Sequence, residues 1–123
     1  MYKLSVTSSF SAAHRLEGYA GACCNLHGHN WIVRAGIRAD KLDDIGMAMD
    51  FKVIKSLLGK ILEELDHAYL NDVPALAGMN PTSENLAKYI YERLERSLEG
   101  EPARVCEVEI RESENSSVIY SND

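Results

Sequence analysis

The chain has 123 residues, a formal net charge of −6, 46% hydrophobic residues and 26% charged residues. That composition fits a single globular domain, 1–123, able to bury roughly two-thirds of its unfolded surface. The acidic balance and the lack of a basic run argue against a nucleic-acid partner, and no apolar run nears the roughly 20 residues that cross a bilayer.

The N-terminus, MYKLSVTSSF, has no apolar stretch of the secretory kind, so a cytoplasmic location is expected. Two of the three cysteines are adjacent, which disfavours a disulfide framework and favours reduced thiols.

Residues 2–13 alternate: Tyr2, Leu4, Val6, Phe10 and Ala12 share one face, and Lys3, Ser5, Thr7 and Ser9 the other. This predicts a half-buried strand. Residues 29–39 repeat the pattern, with Trp31, Val33, Ala35 and Ile37 opposite Asn30, Arg34 and Arg38. A helix is predicted over 51–65, behind Asp50 as N-cap, with apolar Ile54, Leu57, Leu58, Ile61, Leu62 and Leu65. A second helix over 83–98 stacks Leu86, Ile90, Leu94 and Leu98 after the start signal Pro81-Thr82-Ser83-Glu84. A third strand over 104–112 sets Cys106, Val108 and Ile110 opposite Glu107, Glu109 and Arg111, which places Cys106 in the core. A short fourth strand near 117–121 completes the order ββααββ. The expectation is an α+β fold, a four-stranded antiparallel sheet with two helices on one face.

The chemistry gathers where the apolar rows end. The even row of the first strand runs from Phe10 and Ala12 to His14, and the odd row of the second runs back from Trp31 to His29 and His27. If those strands pair antiparallel, three imidazoles meet on one side at one end of the sheet. The third strand's row ends in Glu112, a carboxylate where a core residue belongs. Three neutral imidazoles suit Zn²⁺ and leave a fourth position for water or substrate. The plainer alternative is a turn with two exposed histidines. Cys23 and Cys24 stand open between two roles: further ligands closing a structural site, or a nucleophile or base activated by the cation. Asp66-His67, an acid beside a histidine near a helix end, is more often a capping or surface arrangement than a catalytic pair. No other histidine, however, is left to shuttle protons once three are given to a metal.

Together these residues resemble the 6-pyruvoyl-tetrahydropterin synthase and 6-carboxytetrahydropterin synthase family along nearly the whole chain. The matching motifs are FSAAHRL with His14, CCNLHGHNW with Cys23, His27 and His29, MDFKVIK from Met49, LDHAYLN with Asp66 and His67, NPTSENLA, and IRES with Glu112. The resemblance implies a tunnelling fold, in which trimers join their sheets into a barrel and pair as a homohexamer, with active sites at subunit interfaces. It implies Zn²⁺ on His14, His27 and His29, with Cys23 as catalytic base. Asp66 and His67 would be relay partners from a neighbouring subunit. Glu112 would grip a pterin, with Thr82 and Ser83 near that end of the pocket.

The Cys-x-x-x-His-Gly-His spacing resembles the bacterial carboxy-forming branch that feeds 7-deazaguanine (queuosine) synthesis. The implied substrate is 7,8-dihydroneopterin 3′-triphosphate, and the implied products are 6-carboxy-5,6,7,8-tetrahydropterin, triphosphate and acetaldehyde. Lys3, Arg15, Lys52 and Lys55 are unranked candidates to meet the triphosphate. Pyruvoyl formation and a non-enzymatic zinc module are the alternatives, and Cys24 has no counterpart role in the family.

Overall fold

The computed structural model describes residues 1–18 and 25–122. Its sheet is built on β1 (Tyr2–His14) and β2 (His27–Ala39), antiparallel in unbroken register from Tyr2 opposite Ala39 to His14 opposite His27. Period-two alternation buries Val6, Phe10 and Ala12 of β1 and Trp31, Val33, Ala35 and Ile37 of β2 on the same side. Helix α1 (Phe51–Glu63) starts where the Asp50 side chain accepts from the Lys52 amide, and it buries Ile54, Leu58, Ile61 and Leu62. Helix α2 (Ser83–Ser97) is capped by the Thr82 hydroxyl, which accepts from the Asn85 amide. Both helices cover the apolar face: α1 against β1, and α2 against β4 (Arg104–Ser113) and β5 (Ser116–Tyr120). The α+β layering follows the hydrophobic pattern. No helix among the described residues is long and apolar enough to cross a membrane.

Two expectations need correcting. The sheet has five strands and is mixed, in the order β3–β1–β2–β4–β5, because the two-residue β3 (Ala68–Tyr69) pairs parallel with Ala12 and Ala13. Cys106 is half-buried and outside the core. The β2–β4 register slips between Gly36 and Ile37, so Glu107 lies opposite Gly36 and Val105 opposite Ile37. The slip makes Cys106 the extra residue of a bulge and hands the core position to Val105, which is buried.

The opposite sheet face carries charge. Arg34 donates to Glu109 (3.1 Å) and Glu107 (2.9 Å), Lys3 also pairs with Glu107, and Arg111 approaches Glu109 at 3.6 Å.

Candidate metal centre and its surroundings

The β1–β2 register decides the site. His14 lies opposite His27, and Ala12 opposite His29, so all three imidazoles emerge on the buried side at one end of the sheet. One ligand nitrogen from each lies within 4.8 Å of the other two. Trp31 floors the cluster: its ring centroid is 4.9 Å from that of His14 and 5.1 Å from that of His29, and its indole N–H donates to the Ala12 carbonyl at 3.3 Å.

Backbone carbonyls set the tautomers. His14 Nδ1 donates to the Pro81 carbonyl at 2.7 Å, and His27 Nδ1 donates to the Asn25 carbonyl at 2.7 Å. A carbonyl can only accept, so each Nδ1 carries the proton and each neutral ring presents a lone pair at Nε2. Those two Nε2 atoms stand 3.0 Å apart. His29 Nε2 is buried with no hydrogen-bond partner among the described residues. Two bare lone pairs 3.0 Å apart repel one another unless a cation joins them. Nitrogens at about 2.0–2.1 Å from a tetrahedral Zn²⁺ would sit about 3.3 Å apart, close to this spacing. Burial lowers the His14 pKa against the opposing pull of the Pro81 carbonyl, and burial lowers that of His29 against the opposing charge of Glu112. Neutral rings are the form a metal needs. The donor set fits the ion.

Glu112 adjoins the cluster, with Oε2 3.8 Å from His29 Nε2. A second register slip, between Arg111 and Ser113 opposite β5, leaves Glu112 as the additional residue and bends the strand there. The buried Ser83 hydroxyl donates to Glu112 Oε1 at 2.5 Å. A hollow of about 220 Å³ opens beside the pair, lined also by Ser116 and Ser117. Thr82 is engaged as the α2 cap.

Asp66 and His67 lie at the β3 edge. Asp66 Oδ1 accepts from the Ser11 amide at 2.9 Å, the His67 amide donates to the Ser11 carbonyl at 2.6 Å, and Asp66 Oδ2 is 3.0 Å from His67 Nδ1. These contacts hold His67 at φ 55°, in the left-handed region that a β-carbon disfavours. The Ser11 amide, with a smaller contribution from His67, pulls the Asp66 carboxyl below its ordinary pKa against slight burial. The His67 side chain is 84% exposed at the rim of a cleft that also touches Gly28 and His29. In the single chain, therefore, the pair stands near the histidine cluster with its imidazole turned to solvent. Cys23 and Cys24 lie outside the described residues. The Pro81 and Asn25 carbonyls escaped the sequence reading, since a main-chain oxygen leaves no residue-type signal.

A family model described as 6-pyruvoyl tetrahydropterin synthase matches residues 3–123. The chain belongs to this family. A 6-carboxy-5,6,7,8-tetrahydropterin synthase of Synechocystis sp. is 39% identical, covering 91% of this chain and 87% of its own. A 6-pyruvoyl tetrahydrobiopterin synthase of Dictyostelium discoideum is 37% identical over 93% and 91% respectively. The solved 6-pyruvoyl tetrahydropterin synthase of Caenorhabditis elegans superposes with a TM-score of 0.86 at 31% identity, covering 99% of this chain and 96% of that one.

Proposed function

We propose that the chain is a zinc-dependent 6-carboxy-5,6,7,8-tetrahydropterin synthase of 7-deazaguanine (queuosine) biosynthesis, acting in the cytoplasm. It converts 7,8-dihydroneopterin 3′-triphosphate and one water to the carboxy product, releasing triphosphate and acetaldehyde. The observation that carries this reading is the convergence of three imidazoles, two with Nε2 bared by a carbonyl on Nδ1, and His29 Nε2 buried without a partner. His14, His27 and His29 would hold the ion, which supplies Lewis-acid polarisation of the substrate's side-chain hydroxyls when bound.

The chain's own groups do the rest. Glu112, held by Ser83, accepts hydrogen bonds from the amino and ring N–H groups of the pterin and sets its orientation. Cys23 is the base that takes a side-chain proton, and His67, aimed by Asp66, shuttles protons. The exposure of His67 in one chain accords with its serving a neighbouring subunit's site, in a homohexamer whose sheets join through their open edges.

The Cys-x-x-x-His-Gly-His spacing and relatives such as that of Synechocystis sp. favour the carboxy product. The Dictyostelium and Caenorhabditis proteins favour a second reading, triphosphate elimination without side-chain cleavage to give 6-pyruvoyl-tetrahydropterin. Incubation with dihydroneopterin triphosphate separates the two. Acetaldehyde should appear with the carboxy product, and a pyruvoyl product without acetaldehyde would establish the alternative.

A further inference from the structure

Two asparagines grip the chain as it leaves β1, immediately after the metal-facing His14. Asn71 Oδ1 accepts from the Arg15 amide at 2.9 Å, while its Nδ2 donates to the Arg15 carbonyl at 2.9 Å. Asn80 repeats the device two residues on: Oδ1 accepts from the Glu17 amide at 3.1 Å and Nδ2 donates to the Glu17 carbonyl at 3.1 Å. A carboxamide that both accepts from and donates to one residue mimics the backbone of a partner strand. Arg15 and Glu17 are alternate residues, as strand pairing requires. Asn71 even continues the parallel register in which Ala68 faces Ala12 and Tyr69 faces Ala13. The side chains extend the sheet where the backbone of the 70–80 segment has turned away.

Their placement ties them to the metal centre. Asn80 directly precedes Pro81, whose carbonyl accepts the hydrogen bond from His14 Nδ1. The Asn80 carbonyl itself accepts from the Thr82 amide and from Asn85 Nδ2, both at 2.8 Å, which anchors it to the first turn of α2. A closed circuit results: His14 runs along the chain to Glu17, across the Asn80 carboxamide, through Pro81, and back to the His14 ring. Opening that circuit frees the Pro81 carbonyl to drift from Nδ1, and with it the ring orientation and the direction of the Nε2 lone pair.

We infer that Asn80, supported by Asn71, is a positioning residue for the metal site, holding His14 in its ligating orientation through Pro81. This rests on reading the three histidines as a metal site. The test is metal affinity, measured on the full chain by competition between a chromophoric chelator and Zn²⁺, with the Co²⁺ absorption spectrum as a second readout of ligand geometry. Asn80→Ala should weaken zinc binding by roughly tenfold and alter the Co²⁺ spectrum, and Asn71→Ala should act in the same direction. Asn80→Asp keeps the acceptor for the Glu17 amide and loses the donor, so it should fall between, and it carries the test if the alanine variant fails to fold. Arg93→Ala, which breaks the ion pair between α2 and Glu64 and touches none of the three histidines, should leave affinity unchanged. Wild-type affinity in the Asn80 variants overturns this inference alone, as does an equal loss in Arg93→Ala. A wild-type chain that binds neither ion overturns the metal reading and this inference with it.

Discussion

Nε2 of His14 stands 3.0 Å from Nε2 of His27, and neither nitrogen carries a proton while each Nδ1 donates to a carbonyl. Two lone pairs at that distance store repulsion that a bound cation converts to attraction. Zinc should therefore stabilise the fold by mass action, by about 2.7 kcal/mol when free metal is a hundredfold above Kd. Thermal unfolding with and without a strong chelator checks this, and His27→Ala should abolish the difference.

Cys23→Ala should retain one zinc per chain and lose turnover by at least about 100-fold, as expected for removal of a general base. Metal analysis beside an acetaldehyde assay reads both quantities. Loss of zinc together with activity would make Cys23 a ligand, and sulfur seen in the zinc shell by X-ray absorption would say the same.

Glu112 is anchored by Ser83 on one oxygen and stands 3.8 Å from His29 with the other. Glu112→Gln preserves shape and removes the charge proposed to receive the pterin's N–H groups. Such charge-assisted bonds contribute about 1.5–3 kcal/mol, so kcat/KM should fall roughly 10–100-fold with metal content unchanged. Steady-state kinetics on the metal-loaded variant decide it.

Arg93 grips Glu64 with both terminal nitrogens, at 2.6 and 3.0 Å, tying α2 to the end of α1. The Arg93 hydrogen bonds hold the Glu64 carboxyl below its ordinary pKa of 4.5, against a slight opposing effect of burial. A carboxylate depressed in the folded state contributes its stability in full above the unfolded pKa and loses it as pH falls through the folded one. Wild type should accordingly unfold at a higher temperature than Glu64→Gln near neutrality. The gap should close below about pH 4, as melting curves across an acid series would record.

Gly36 sits at the β2–β4 bulge, where an added Cβ would stand 2.9 Å from Glu107 Cγ and 3.1 Å from Lys3 Cε. Gly36→Ala should displace the Lys3–Glu107–Arg34 row and cost about 1–3 kcal/mol. Chemical denaturation reads the loss, and it should leave zinc affinity untouched.

How far the sequence could be read depended on parity. The rows through Phe10 and Trp31 led straight to His14 and His29 because β1 and β2 pair without interruption. Asp50 and Thr82 were legible as helix starts because a cap acts through its own side chain. Parity failed at Cys106, where the slip beside Gly36 exchanges Cys106 and Val105 across the sheet, and no residue type announces that slip. Strand β3 was invisible because two residues paired across 56 positions leave no periodic trace. The Asn71 and Asn80 grips were equally hidden, since an asparagine near a turn usually serves its own local backbone.

Across the outer sheet face, Lys3, Arg34 and Arg111 alternate with Glu107 and Glu109 in nearly balanced pairs. The two helices carry six basic and four acidic side chains, so the acidic excess behind the net charge of −6 lies in the segments between the elements. Beyond a Debye length of about 10 Å in 0.1 M salt, an anion meets little net potential over these paired strand charges. The outer sheet face is therefore electrostatically quiet at a distance, and its charges act on a neighbour only at close contact.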